Sequence, residues 1–305
     1  MGAADETATE RVFELSFPLD LGLTIGALRH GFGDPTIRAA NREVRRATRT
    51  PDGPASVRIV HHGAAIRATA WGPGAAQALD AIPALLGFDD TPAAFVPRQR
   101  ILADLHHRMP GLRIGRTGAV WEALLPAIVE QKVVGHEARR SYQGLVARYG
   151  EPAPGPLELR LAPPPATLAS LPYYEFHPFG IEQRRADTIR RAARVATRLE
   201  RATALPAVEG LTLLQQVVGI GPWTAAEALR VASGDPDIVS IGDYHLPNLV
   251  AWALAGEPRA DDARMLDLLE PYRGQRGRVV RLLEASGISA PRYGPRMALR
   301  SIAGR

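Results

Sequence analysis

The sequence predicts a mostly helical protein with a small N-terminal α+β domain, and three observations predict it. Over the first hundred residues apolar side chains recur at every second position, the period of a half-buried strand. From Pro97 onward they recur every third or fourth position, the period of a helix face. The third observation is the segment 213–229, in which Gly219-Ile220-Gly221 separates two such helical faces.

The elements follow in order. Residues 11–17 alternate, 35–50 is an arginine-rich β-compatible run, and 56–60 pairs with 65–71 around His61-His62-Gly63. The two histidines are read as a hairpin turn rather than metal ligands, because no partner ligand stands at useful spacing. Pro73-Gly74 closes the sheet, and 75–86 packs one helical face on it. Helices are expected at 98–109, 117–131 and 136–149, broken by Pro110-Gly111 and Gly150. A proline-rich linker, 152–165, precedes helices at 165–171, 182–200, 211–218, 222–233, 243–255, 260–269 and 275–285. The chain thus divides into a sheet domain (1–96), a helical domain (97–290) and a basic tail (291–305).

Composition narrows the chemistry. At 305 residues and 46% hydrophobic, the chain can bury sizeable cores. Its apolar stretches fall short of the roughly 18 residues that a membrane-spanning helix needs, so no membrane partner is expected. Residues 1–10 are acidic with no apolar segment, which points to a cytoplasmic protein. With no cysteine, disulfides, thiolate catalysis, zinc ribbons and iron–sulfur clusters are all excluded. The net charge of +5 is compatible with a polyanionic partner. Lys132 is the single lysine in an arginine-biased chain. Arg184, Arg185, Arg190, Arg191 and Arg194 share one helix, as a solvated face or a stripe that tracks such a polyanion.

In the hairpin, Gly219 and Gly221 let the backbone turn sharply with its amides unobstructed, Pro222 suits a first helical turn, and Ile220 plugs the gap between helices. Amides at a helix N-terminus form a phosphate-binding device; a plain helix–helix turn is the other reading. Some twenty residues on, Asp243 opens a new helix, where the macrodipole stabilises its carboxylate as the anion.

Hairpin, spacer and aspartate in this order resemble the helix-hairpin-helix superfamily of DNA glycosylases, and most of the chain resembles its AlkA-type 3-methyladenine branch. Met109-Pro110-Gly111-Leu112-Arg113-Ile114 and Ala127-Ile128-Val129-Glu130-Gln131-Lys132-Val133 are similar to that branch's lead-in and DNA-wedge segments. Phe179-Gly180-Ile181 through Asp187 resembles its glycine turn before a long helix, and the N-terminal strands resemble its small sheet domain. The resemblance implies that Asp243 is the catalytic carboxylate. It implies that Val218, Gly219, Gly221 and Thr224 contact DNA, in some relatives with a monovalent cation on the hairpin backbone, and that Gln131 and Lys132 form the wedge. Trp223 and Tyr244 would line the base pocket; for Trp223 core packing is the other reading. No metal or organic cofactor is required, and the expected partner of the monomeric protein is duplex DNA containing a damaged base.

The implied activity is hydrolytic excision of alkylated bases of the 3-methyladenine and 7-methylguanine type. Trp223 stands where bifunctional relatives place a Schiff-base lysine, which favours a monofunctional enzyme. The alternatives are a glycosylase for an oxidised or deaminated lesion, or a non-catalytic damage-binding protein. Ala27 and Glu227 depart from the pattern, standing where that branch offers aromatic rings. Glu227 either faces the pocket, favouring a cationic base by charge, or lies on the exposed side of its helix. Lys132 contacts phosphates, pairs with Glu130 or Glu137, or acts as a Schiff-base nucleophile. His245 resembles a histidine of other branches and is otherwise a helix hydrogen-bonding residue.

Overall fold

The computed structural model describes residues 8–40 and 42–291. An antiparallel five-stranded sheet comes first, in the order β1-β5-β4-β3-β2. Its strands are β1 (Thr9–Glu14), β2 (Ile37–Ala39), β3 (Glu43–Thr50), β4 (Gly53–His62) and β5 (Ala65–Trp71), with α1 (Leu21–Ile25) between β1 and β2. The expected run 35–50 is two strands, and β4 carries His61 and His62 to its end, paired with Ile66 and Ala65, so the turn itself is Gly63-Ala64. The helix expected at 75–86 is broken into α2 (Ala75–Asp80) and α3 (Ile82–Leu85). Pro83 causes the break, since it has no amide to donate and its ring crowds the preceding turn.

Ile59, Ile66, Leu79, Ile82 and Leu86 fill a core between the sheet and these helices. α4 (Arg100–Arg108) packs instead with the C-terminal helices, through Leu102 and Leu105. α5 (Val120–Val129) and α6 (Gly135–Tyr149) follow, separated by a turn at 130–134. The proline-rich stretch is a packed element rather than a free linker. β6 (Glu151–Pro152) and β7 (Arg160–Leu161) pair, and Leu157, Leu159 and Leu161 bury against Ala47.

The remaining elements are α7 (Pro165–Ser170), α8 (Gln183–Arg194), α9 (Ala196–Leu199), α10 (Ala207–Gln215), α11 (Pro222–Ser233), α12 (Leu246–Ala255), α13 (Asp262–Leu269) and α14 (Arg276–Ala285). The helix expected at 182–200 is interrupted at Val195, whose amide bonds Ala192 only three residues back. α10 begins directly after Pro206 and ends earlier than the expected 218, because residues 216–221 make the turn. The basic tail expected at 291–305 falls, beyond position 291, outside the described residues.

Two helical cores frame the site. One joins α5, α6, α8, α10 and α11, the other α4, α12, α13 and α14. The connection from α11 to α12 crosses from one to the other and carries Asp243. The sheet is bolted to α5 through Glu122, which accepts from the Arg46 guanidinium (2.7 Å), the Thr48 hydroxyl (3.0 Å) and the Arg49 amide (2.8 Å). No helix among the described residues is long and apolar enough to cross a membrane.

Candidate active site

The turn between α10 and α11 is fixed by close approach. The Val217 amide bonds Leu214 (3.2 Å), the Ile220 amide bonds Val217 (2.9 Å), and the Ile220 side chain is buried beneath them. Gly219 has φ +101°, and a Cβ there would stand 2.1 Å from the Thr188 hydroxyl of α8, so a side chain is excluded twice over. Pro222 occupies the first turn of α11, and a helix leaves the amides of that turn without intrahelical partners. The amides of Trp223 and Thr224 are therefore donors at the positive end of α11. Val218 projects at the turn with 72% of its surface exposed.

Several residues expected to touch DNA have other partners. Thr224 is 2% exposed, and its hydroxyl accepts from the Gln131 amide nitrogen (2.8 Å), which also donates to the Gly219 carbonyl (3.0 Å). The Thr224 side chain thus faces inward, and Gln131 ties the 130–134 turn to the hairpin. The Val218 carbonyl accepts from Arg191 (2.9 Å). Each of these two carbonyls thus already accepts one donor from a neighbouring element, Arg191 at Val218 and Gln131 at Gly219. The arginine helix matches neither expected reading throughout. Arg185 is buried and donates to the carbonyls of Val129 (2.6 Å) and Gly180 (2.8 Å), Arg191 braces the hairpin, and Arg190 pairs with Asp187. Burial holds the Arg185 pKa below its ordinary value, partly offset by Glu182.

Asp243 is held from both sides. Its Oδ1 accepts from the amides of His245 (2.7 Å) and Leu246 (2.8 Å), just ahead of α12, which starts at Leu246 rather than at the expected 243, while its Oδ2 accepts from the Trp223 indole (2.9 Å). With about four lone-pair sites on a carboxylate, these bonds leave acceptor capacity for a water or a developing cation. Trp223 therefore does more than pack: it aims the carboxylate from the first turn of α11.

One helical turn further along α11, Glu227 bonds Arg230 through both oxygens (3.1 and 2.7 Å) and also accepts from the Ser240 hydroxyl. Arg230 and Arg281 each stand near Glu284 (4.0 and 3.9 Å). Burial works against the Arg230 charge, but Glu227 and Glu284 overcome it and hold the guanidinium pKa above its ordinary value. Glu227 is therefore not on an exposed helix face. With Ala27 it lines a cavity whose other walls include Ser240, Leu246, Val280 and Glu284. No aromatic ring is among that cavity's described lining residues. Tyr244 does not line it either: 84% of its surface is exposed, and its ring meets His245 edge-on at 4.9 Å. Leu246, whose amide binds Asp243, belongs to the cavity wall, so the carboxylate is one hydrogen bond from that wall, a position termed the rim, while Asp243 itself does not line the cavity.

Lys132 lies in the turn after α5, exposed, with φ +55°, a conformation that costs a non-glycine residue energy. It pairs with neither expected partner. Glu130 faces His30 (3.3 Å) instead, and one buried oxygen of Glu137 has no hydrogen-bond partner.

The structure thus brings Asp243, Trp223 and the Gln131–hairpin group together, with Ala27 and Glu227 in an adjoining cavity. Sequence reasoning missed Arg230, Ser240 and Glu284, and named Arg191 without its contact to the hairpin. Arg230 had a signal, the i,i+3 spacing from Glu227; Ser240 and Glu284 had none.

No protein-family model and no curated protein matches the chain. Solved structures do. The 3-methyladenine DNA-glycosylase from Archaeoglobus fulgidus is similar over 90% of this chain and 97% of its own, with TM-score 0.76 and 17% identity. An 8-oxoguanine glycosylase/lyase from Clostridium acetobutylicum, in complex with double-stranded DNA, is similar over 93% of this chain and 100% of its own, with TM-score 0.68 and 13% identity. These likenesses show the helix-hairpin-helix DNA glycosylase fold.

Proposed function

We propose that this chain is a monofunctional DNA glycosylase that binds duplex DNA as a monomer, accepts a flipped-out damaged base and hydrolyses its glycosidic bond. The observation that carries this reading is the Asp243 carboxylate, fixed by the His245 and Leu246 amides on one oxygen and by the Trp223 indole on the other. The α11 amides beside Val218, Gly219 and Gly221 supply the phosphate anchor. As the base leaves, the sugar gains oxocarbenium character. An anionic carboxylate facing it stabilises that charge and orients the attacking water. Trp223 offers a π face at the rim.

Alkylated purines of the 3-methyladenine and 7-methylguanine type are the first substrates in this reading, since they are cationic and already primed to leave. The test is chromatography of bases released from methylated duplex DNA, with borohydride trapping in parallel. The expected result is release of either base without a trapped adduct. No release overturns the alkylation reading, and an adduct lost in Lys132→Arg overturns the monofunctional one.

A specific observation favours a second reading, a glycosylase for an oxidised or deaminated base. The cavity has a charge-balanced floor, with Glu227 and Glu284 against Arg230 and Arg281, and no ring to stack a cation. Such a floor selects by hydrogen bonding rather than by charge, and it penalises bases that leave its polar groups unpaired. Release from duplexes carrying 8-oxoguanine or deaminated bases, with none from methylated DNA, is its expected signature.

A further inference from the structure

Residues 29–34 form an arm whose base is locked and whose tip is bare. Asp34 is buried and accepts from the His30 amide (2.7 Å), the Thr36 amide (2.9 Å) and the Thr36 hydroxyl (2.8 Å). Gln143 of α6 donates to the His30 carbonyl (3.1 Å), and the His30 ring meets Tyr142 edge-on at 5.2 Å. Gly31 lies so close to Arg139 that a Cβ would stand 2.6 Å from its side chain. At the tip, Phe32 is 95% exposed, with the Arg29 guanidinium 5.8 Å from its ring centroid. Single exposed apolar residues are common on loops. This one is held in water by a buried carboxylate and two helix contacts, so its position is built.

The arm's place gives the ring a partner. The 130–134 turn is flanked on one side by the hairpin, through Gln131, and on the other by the arm, through Glu130 and His30. Lys132 follows Glu130 and Gln131 in the same turn and is exposed. On the reading above, the hairpin and Asp243 take the damaged strand, which leaves the complementary strand on the arm's side of the turn. That side is rimmed by exposed His136, Arg139 and Arg140, the charge that a phosphate backbone requires. We propose that Phe32 is a DNA contact that stacks on the base left unpaired in the complementary strand when the damaged nucleotide is flipped out. A ring on a fixed arm loses little freedom on binding, and stacking accepts any base. This rests on the DNA-binding half of the proposed function and not on the lesion.

The test uses the full chain and a duplex with a tetrahydrofuran abasic analogue opposite 2-aminopurine, titrated at several salt concentrations. The wild type is expected to quench the 2-aminopurine. Phe32→Ala is expected to lose the quench and bind about 10-fold more weakly, with an unchanged slope of log K against log salt, because no ion pair is removed. Phe32→Trp is expected to restore both. Melting temperature should stay at the wild-type value, the side chain being outside every core. Affinity within twofold of wild type and unaltered fluorescence in Phe32→Ala would overturn the inference while leaving DNA binding intact. A changed salt slope would replace stacking by a disturbed phosphate contact and also overturn it. A wild type that does not bind the duplex overturns the DNA reading itself.

Discussion

The rim and the floor of the candidate site are built in opposite ways. The rim, Asp243 with Trp223 and the hairpin, comes from one stretch of chain, 216–246, in which local backbone rules place every group. A glycine turns, a proline starts α11, and an aspartate holds the His245 and Leu246 amides where α12 begins. The floor shares that stretch through Glu227, Arg230 and Ser240 but also draws in Ala27 and Glu284 from remote segments, and its polar groups are tied by ion pairs and the Ser240 hydroxyl. The difference teaches that the rim rests on local backbone rules and the floor on side-chain partners, some of them remote in sequence; in the proposed function the first carries the reaction and the second the choice of base.

The largest effect expected on stability comes from the floor. Arg230→Met leaves Glu227 in the cavity without its ion-pair partner and should destabilise the fold by about 3 kcal/mol, measured by urea unfolding. The double variant Arg230→Met/Glu227→Leu should recover most of that loss; equal losses in both would mean that the pair is not coupled. At the rim, Trp223→Phe keeps the ring but removes the indole donor to Asp243. Base release should slow about 30-fold, with affinity for an abasic duplex within a few-fold of wild type. If release is unchanged, Trp223 does not aim the carboxylate. Gln131→Ala cuts the tie between the wedge turn and the hairpin and should cost about 1 kcal/mol of stability together with a measurable loss of DNA affinity.

The smallest effect lies outside both regions and serves as a control. Hydrogen bonds from Arg58 and then Arg45 lower the Glu43 pKa from 4.5 to about 2. Its stabilisation is therefore complete above pH 4.5 and is lost as pH falls toward 2. Because the partners are partly exposed, about 1 kcal/mol is expected after solvent screening. Glu43→Gln should flatten that acid limb without touching base release.

Much of the rim was legible. The bounds 222–233 of α11 coincide with those observed, whereas the helix expected over 243–255 begins at Leu246 with His245 at its N-cap, so Asp243 lies two residues ahead of the cap and binds the His245 and Leu246 amides from there. What was hidden depends on partners remote in sequence. The packing of Leu157, Leu159 and Leu161 was obscured by prolines, and the inward turn of Thr224 depends on Gln131, 93 residues away. Tyr244 was assigned to the pocket by the resemblance, but it lies in the bend ahead of α12, which starts at Leu246, and its ring is exposed.

The division between rim and floor is tested most directly by Asp243→Asn, assayed both for base release and for affinity toward an abasic-analogue duplex. Release should fall at least about 1000-fold while affinity stays within about threefold, because the carboxylate acts on the transition state and the α11 amides do the holding. Release at the wild-type rate would contradict the assignment of Asp243 as the catalytic group.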